Sequence, residues 1–503
     1  MRMLLQRRSV WVAITTAAAL AAGGQSALAV QAAPEQTDLA RGRAACTPTA
    51  PYTGCQEFTF TGAEQTFPVP DRAIQVEAEL KGAGGGGSAA AAPAGGDQQA
   101  GDGGTTKATL PVKPGDDLTI TVGGGGRTGS TTNSAGTQRR GGFGGGGHGG
   151  WSGRSGGGGG GLSGVAKGTT QLVIAGGGGG APGGSAQPGA AGGDGGGTAG
   201  QGLTIPAVGG GGTQTAGGAG GTPMGHCNIA GQAGTALKGG NGGTIGMSGT
   251  QDAAGGGGGG WFGGGGGGCS PDANPFGEGG GGGGSGYVNT GAGVNGTTTV
   301  GGGGAGGTNQ KDGTNGTVKI QWKELKPPAI TGPADGSSAP GDGPIKGTGE
   351  PGATVTVKDK NGNTICTAKV QADGSWSCTP SKPLPCGPNE LTATQEKGGV
   401  TSEPEKITFN AGQPCISPPQ PPVITKPSPP TGTSKSPGKV TVRTQTGEVV
   451  CTATVGADGK WSCPPGKPLP PCTELTATVT KDGATSKPSK VARTYCPPKY
   501  GKK

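Results

Sequence analysis

The first half of the chain alternates apolar and polar side chains in short stretches. Phe58-Thr59-Phe60 opens the pattern. Ile74, Val76, Ala78 and Leu80 share one face, and Gln75, Glu77 and Glu79 share the other. Ala108, Leu110 and Val112 repeat it. After the turn residues Pro114-Gly115-Asp116, Leu118, Ile120 and Val122 alternate with Thr119 and Thr121. Val318, Ile320 and Trp322 close the series. Period two, β-branched residues and bounding Gly or Pro predict half-buried antiparallel strands. Leu172-Val173-Ile174 has no polar member and predicts a buried strand.

Between these strands lies a second texture. Of the 240 residues from 81 to 320, 97 are glycine. Uninterrupted runs include Gly84–Gly87, Gly123–Gly126, Gly144–Gly147, Gly156–Gly161, Gly176–Gly180, Gly255–Gly260, Gly263–Gly268 and Gly279–Gly284. Three begin within four residues of a strand: after Leu80, directly after Val122, and after Ile174. Glycine loses more backbone entropy on ordering than any other residue and has no side chain to bury. An ordered run must therefore be held through its main chain. Extended threefold helices with a rise of about 3.1 Å per residue, packed side by side, meet that condition. Without side chains they approach closely, and every N–H and C=O finds a partner. A six-residue run makes about two turns, roughly 19 Å long. The expectation is a polyglycine-II helix bundle inserted between the strands. Collagen is excluded because the strict G-X-Y period is absent. Composition alone gives the competing expectation, a disordered elastic matrix.

The segments "EFTFTGAEQTFPVP", "AIQVEAELKGAGGGG", "LPVKPGDDLTITVGGGG", "LVIAGGGGG" and "GTVKIQW" resemble the glycine-rich domain in the extracellular part of anaplastic lymphoma kinase and of many bacterial surface proteins. The resemblance spans about residues 55–324. It implies a jelly-roll-like sandwich with polyglycine helices between its strands. No kinase domain or membrane span accompanies it here, so the signalling role is not implied. Within this region Trp151, Trp261, Phe262 and Phe276 stand among glycines. They are the candidate ligand contacts. The alternative is that Trp261, Phe262 and Phe276 form a small cap anchoring the glycine helices to the sandwich.

Pro327-Pro328 and the proline-rich stretch 418–422 mark linkers. Each precedes one copy of a repeat. "ICTAKVQADGSWSCTPSKPLPCGPNELTATQEKGGVTSEP" aligns with "VCTATVGADGKWSCPPGKPLPPCTELTATVTKDGATSKP", at a period of about 85 residues. Short alternating strands between Asp-Gly, Asn-Gly and Pro-Gly turns predict two small β-sandwiches. They resemble bacterial immunoglobulin-like repeats, whose family role implies stalks and spacers. The second copy lacks part of the first strand region. The fold class expected for the whole chain is therefore all-β. The expected boundaries are a signal peptide (1–29), a lead with a local disulfide (30–54), a glycine-rich unit (55–324), and immunoglobulin-like modules at 325–415 and 416–503.

Twelve cysteines agree with an oxidising compartment, and none has C-x-x-C spacing. Cys46 and Cys55 bracket a short loop. Cys227 and Cys269 are the two cysteines inside the glycine region. In the modules, the ADGSW and ADGKW turns read as hairpins that set Cys366 opposite Cys378 and Cys451 opposite Cys463. Cys386–Cys415 and Cys472–Cys496 then remain, although four cysteines permit three connectivities. Trp376 and Trp461 hold matching positions and read as core residues.

Export is also written at the N-terminus. Arg2, Arg7 and Arg8 precede an apolar stretch, Val10 to Ala22, and Ala27-Leu28-Ala29 offers a cleavage site. The paired arginines are compatible with a twin-arginine route. No later stretch is apolar and long enough to span a bilayer. The C-terminus carries no hydrophobic tail or LPxTG-type signal, so any attachment to the cell is expected to be non-covalent.

Net charge is +9, and residues 416–503 alone hold 13 Lys/Arg against 4 Asp/Glu, again +9. A basic end on an exported chain points to an anionic partner, here a cell-wall polymer or a cell-surface glycan or protein. The few aromatics near the basic residues argue against nucleic acid. His148 and His226 are the only histidines, and neither has an acid beside it in sequence, so no catalytic residues, metal or cofactor are expected. The expected function is that of a secreted, non-enzymatic surface or adhesive protein, displaying the glycine-rich domain on an immunoglobulin-like stalk. A carbohydrate-binding or an ice-binding secreted protein is the alternative.

Overall fold

The computed structural model describes residues 42–89, 99–131, 139–184, 191–202, 205–224, 229–244, 253–269, 279–413, 417–481 and 484–497. The signal-peptide segment 1–29, Cys227, Cys415, His226 and Phe276 lie outside them.

The chain is all-β. Eleven strands build the N-terminal sandwich: β1 (Arg43–Ala45), β2 (Gly54–Thr59), β3 (Gln65–Pro68), β4 (Ala73–Lys81), β5 (Thr105–Leu110), β6 (Asp117–Thr121), β7 (Ser163–Lys167), β8 (Thr170–Ala175), β9 (Tyr287–Val288), β10 (Asn295–Thr299) and β11 (Thr317–Glu324). One sheet runs β1-β2-β11-β4-β5-β10 and the other β3-β6-β7-β8-β9. The last strand, β11, sits between β2 and β4, setting Val318 beside Phe58 and Leu80. Phe58, Leu80, Leu118, Ile120, Val165, Val173 and Ile320 are fully buried between the sheets. Each such side chain contributes about 1.5–3 kcal/mol. The alternation read from the sequence therefore separates core from solvent, as in β4, where Val76, Ala78 and Leu80 are buried and Glu77 and Glu79 are not.

Strand register explains where the glycines go. Lys81 pairs with both Thr105 and Thr317, Thr105 with Thr299, Thr121 with Gly164, and Ser163 with Ala175. Four glycine-rich arms (82–104, 122–162, 176–286 and 300–316) thus all leave from one end of the sandwich and return to it. Short turns close the other end.

Above that end the arms bond to one another through the backbone. In the arm following β8, the N–H groups of Gly177, Gly180 and Gly183 donate to the carbonyls of Gly259, Gly256 and Ala253 at 2.7, 2.8 and 2.8 Å. Those of Gly178 and Ala181 donate to Ala83 and Gly86, both at 3.0 Å, and Gly179 donates to Gly193 at 2.8 Å. Donation returns to the same neighbour every third residue. The carbonyls follow the same rule. Gly176 and Gly179 accept from Gly104 and Gly101, Gly178 and Ala181 from Gly160 and Gly157, and Gly177 and Gly180 from Gly284 and Gly281. The segment is ringed by six others, donating to three and accepting from three.

Side chains are shut out by contact. A Cβ on Gly176, Gly177, Gly178, Gly179 or Gly180 would run into the carbonyl oxygen of Gly284, Gly160, Gly101, Gly281 or Gly157 respectively. None of these five glycines has a positive φ, so glycine is needed here for closeness of approach. Torsional freedom matters at a corner such as Gly144-Gly145, where φ is 88° and 85°.

Two smaller sandwiches follow. The first pairs a three-stranded sheet (Ala329–Gly332, Ile345–Thr348, Ser375–Cys378) with a larger one containing Thr354–Asp359, Thr364–Lys369, Gly387–Lys397 and Glu405–Gly412. The second repeats this with Val423–Pro427, Pro430–Thr433 and Lys460–Ser462 against Lys439–Thr444, Val449–Thr454, Glu474–Lys481 and Ala492–Arg493. Trp376 and Trp461 are core residues, each 3% exposed, and each lies on a glycine of the facing strand, Gly347 or Gly432.

Cys46–Cys55, Cys366–Cys378, Cys451–Cys463 and Cys472–Cys496 are bonded, with Cα separations of 5.6, 5.8, 5.7 and 4.7 Å. Cys269 and Cys386 are also disulfide-bonded. The hairpin reading of ADGSW and ADGKW needs correction. The turns exist, with Gly374 and Gly459 donating back to Gln371 and Gly456 at 3.0 Å. The strands they join enter different sheets, because Ile345–Thr348 takes Ser375–Cys378 and Thr354–Asp359 takes Thr364–Lys369. Each of these disulfides therefore staples one sheet to the other across the core.

Candidate functional site

Trp261 and Phe262 sit where the glycine arms meet β9. The Trp261 ring stacks on Tyr287 of β9, with centroids 4.0 Å apart and planes at 10°. Phe262 meets the same indole edge-on at 6.0 Å. The indole N–H of Trp261 donates to the Gln214 carbonyl at 3.2 Å. Ser285 Oγ donates to the Thr213 carbonyl at 2.8 Å and accepts the Phe262 N–H at 3.2 Å. The cluster therefore ties three glycine-arm segments to a sandwich strand while leaving both rings half-exposed. Trp151 lies elsewhere. Its backbone N–H donates to Thr244 Oγ1 at 3.3 Å, and its indole N–H is buried without a partner. No ring contact among the described residues joins it to Trp261.

A shallow groove of about 510 Å³ crosses the outer face of the six-stranded sheet, lined by Glu79, Lys81, Thr105, Lys107, Thr297 and Thr299 among others. Lys107 pairs with Glu77 at 3.1 Å, and Glu77 also accepts from Gln321 at 2.7 Å. Burial, and then the Glu77 carboxylate, push the Tyr52 phenol up to about 12, so it remains a donor across the physiological range. The groove's hydroxyls and charges of both signs suit hydrogen bonding to a polar ligand. The sequence pattern did not reveal this groove, because β10 (Asn-Gly-Thr-Thr-Thr) has no apolar alternation.

His148 is solvent-exposed, and its Nδ1 accepts the Gly141 N–H at 3.1 Å. Partial desolvation of the ring against its neighbours, then Arg139 and Arg140, lower its pKa, so it is neutral at pH 7. Asp194 Oδ1 accepts the Asp102 N–H at 2.8 Å, and Asp102 Oδ1 accepts that of Gly306 at 2.8 Å. Burial, and the nearby Asp102 charge, raise the Asp194 pKa despite that hydrogen bond. These two carboxylates fasten glycine arms together. Among the described residues no three His, Cys, Asp or Glu side chains gather to hold a metal ion.

In the second small sandwich every described Lys and Arg is exposed, from Lys426 to Arg493. Two pair with acids, Lys460 with Asp458 at 3.5 Å and Arg493 with Glu474.

Residues 332–411 match the bacterial Ig domain family. The match covers nearly all of the first small sandwich, and the repeat alignment carries the same strand order to its neighbour. No curated protein matches the chain in sequence. Among solved structures, the BSP domain of a biofilm associated protein is similar at 23% identity, over 34% of this chain and 29% of that one, with a TM-score of 0.15. A tetra-tandem repeat from the extending region of a large adhesion protein is similar at 22% identity, over 31% and 46%, with a TM-score of 0.17. The chain spans less than half the length of either. No helix among the described residues is long and apolar enough to cross a membrane.

Proposed function

We propose that this chain is an exported, non-enzymatic bacterial surface protein, in which a rigid glycine-rich unit is displayed on two immunoglobulin-like modules. The bacterial Ig domain match at 332–411 carries the reading, because such modules serve as spacers for what they hold outward. Inter-sheet disulfides in both modules fit that role in an oxidising compartment. The glycine arms are polyglycine-II helices in this reading, supported by hydrogen bonds that return to one neighbour every third residue. Their setting above one end of an eleven-stranded sandwich supports the likeness to the glycine-rich domain of anaplastic lymphoma kinase. The basic second module holds the protein to an anionic cell-wall polymer. Its +9 charge and the exposure of its described Lys and Arg side chains support this.

Washing producing cells with increasing salt tests the reading. The protein is expected in the cell fraction at low ionic strength and in the wash at about 1 M NaCl, where the Debye length is near 3 Å. Deleting residues 416–503 should send the remainder to the medium at any salt. Retention unchanged by salt and by the deletion would contradict it.

A further inference from the structure

The two modules differ at one edge. In the first, the last strand, Glu405–Gly412, is covered on its outer side by Ser338–Pro340, which runs parallel to it. Outward backbone groups from Thr408 to Gly412 are engaged. Thr408 N–H donates to Asp335 Oδ1 at 2.7 Å, and its carbonyl accepts from Gly336 at 2.6 Å. Asn410 donates to Ser337 at 2.8 Å, and Gly412 accepts from Gly341 at 3.1 Å. In the second module the covering segment, 333–344, has shrunk to Pro427-Ser428-Pro429. No strand takes its place among the described residues.

The edge is also displaced. The two copies agree as far as Ser402 and Ser486, whose N–H groups donate to Gln395 and Val479, both at 2.9 Å. From there Ile407 aligns with Val491, and Phe409 with Arg493. Ile407 faces Leu391, but Leu475 faces Ala492 instead of Val491. The second strand has slipped by one residue, which exchanges its two faces. The cause lies in two residues. Ser489 bonds Ala477 twice, N–H to carbonyl at 2.7 Å and Oγ from N–H at 2.9 Å, and so resets the register. Arg493 would otherwise occupy the buried place of Phe409, where a guanidinium has no partner. After the slip Arg493 pairs outside with Glu474, Thr494 is buried, and Val491 is 60% exposed.

Thr494 N–H points inward to Thr473 at 3.0 Å. Alternation along an antiparallel ladder then turns the N–H and C=O of Arg493 toward the open side. We infer that this edge is a strand-acceptor site, which takes an extended acidic segment of a partner protein where Ser338–Pro340 lies in the first module. Two observations set the chemistry of the occupant. The equivalent edge is already covered by a peptide strand with an aspartate on the N–H of Thr408, and Arg493 now stands in that register. The module also carries +9, which favours an acidic segment and disfavours a second copy of itself.

The probe is a peptide with the sequence of Pro333–Gly343, which bears Asp335 and Asp342, added to the full chain. At about 1 mM peptide, amide exchange at Arg493 should slow roughly tenfold or more, with Val440 and Val442 unchanged. The same peptide carrying Asp335→Lys and Asp342→Lys should give no protection. Replacing Pro427–Pro429 by the sequence of Pro333–Pro344 should protect the same amide in cis and abolish binding of the free peptide. No protection by the acidic peptide overturns the site, whether or not the grafted variant folds. Equal protection by the lysine peptide overturns the acidic partner.

Discussion

Substituting Gly179 by alanine separates an ordered glycine bundle from a tether. In a tether the residue is as free in the folded state as in the unfolded one, the change in chain freedom cancels, and Gly→Ala should leave stability within about 0.5 kcal/mol. In the bundle the new Cβ falls on the Gly281 carbonyl oxygen, in a segment ringed by six others. The 279–284 segment must then move away. Its bonds from Gly281 to Gly180 and from Gly284 to Gly177, both 2.9 Å, lengthen together. Overpacking costs about 1–3 kcal/mol, and each buried group left unpaired costs about 1–3 kcal/mol more. A total of roughly 3–9 kcal/mol corresponds to a fall in melting temperature of roughly 6–36 °C for the sandwich and bundle. Gly291→Ala is the control. Its Cβ meets nothing closer than Asn289 Oδ1 at 3.5 Å, and it should change stability by less than about 1 kcal/mol. Calorimetry of both variants reads the difference directly. A Gly179→Ala melting temperature equal to or above that of Gly291→Ala would refute the reasoning.

Three further outcomes follow from other parts of the chain. Removing the inter-sheet staple with Cys366→Ser and Cys378→Ser, which opens a loop of sequence separation 12, should destabilise the first module by about 2–3 kcal/mol, seen as an earlier melting transition. The raised Asp194 pKa means the folded state binds that proton more tightly than the unfolded chain, so this residue's contribution falls as pH rises from about 3.8 through the folded value. Asp194→Asn, which keeps the acceptor for Asp102 N–H, should raise the melting temperature at pH 7 and leave it unchanged at pH 3; a fall at pH 7 would contradict the assignment. Glu350 behaves oppositely. Burial alone would raise its pKa, but hydrogen bonds from Lys323 and Lys397, at 2.6 and 3.0 Å, outweigh this and hold it below 4.5. Its contribution is complete above that value and is lost as pH falls through the folded pKa, so Glu350→Gln should flatten the acid limb of the first module's stability profile.

Much of the sandwich was legible because its strands are half-buried. Val76, Ala78 and Leu80 alternate with glutamates since one face meets the core and the other meets water. β1 and β10 escaped the pattern for the same reason in reverse. They are edge strands with little apolar surface, Arg-Ala-Ala and Asn-Gly-Thr-Thr-Thr, held by their neighbours' backbones. The outer-face groove depends on β10 and was hidden with it. In the modules, the ADGSW and ADGKW turns pointed to the bonded pairs Cys366–Cys378 and Cys451–Cys463, while the different sheets they join could not be read from a local turn. The register slip at Val491 was illegible in either copy alone. It follows from a serine that bonds twice and an arginine that cannot be buried, and both effects appear only against a paired strand.

Amide hydrogen exchange across residues 156–161, 176–183, 255–268 and 279–284 tests the main-chain bundle most directly. Bonds such as Gly180 to Gly256 and Gly258 to Gly282, at 2.8 and 2.9 Å inside a shell of other segments, predict protection that rises and falls with the sandwich strands as one cooperative unit. Exchange of these glycine amides at free-peptide rates, while β4 and β11 remain protected, would contradict the account.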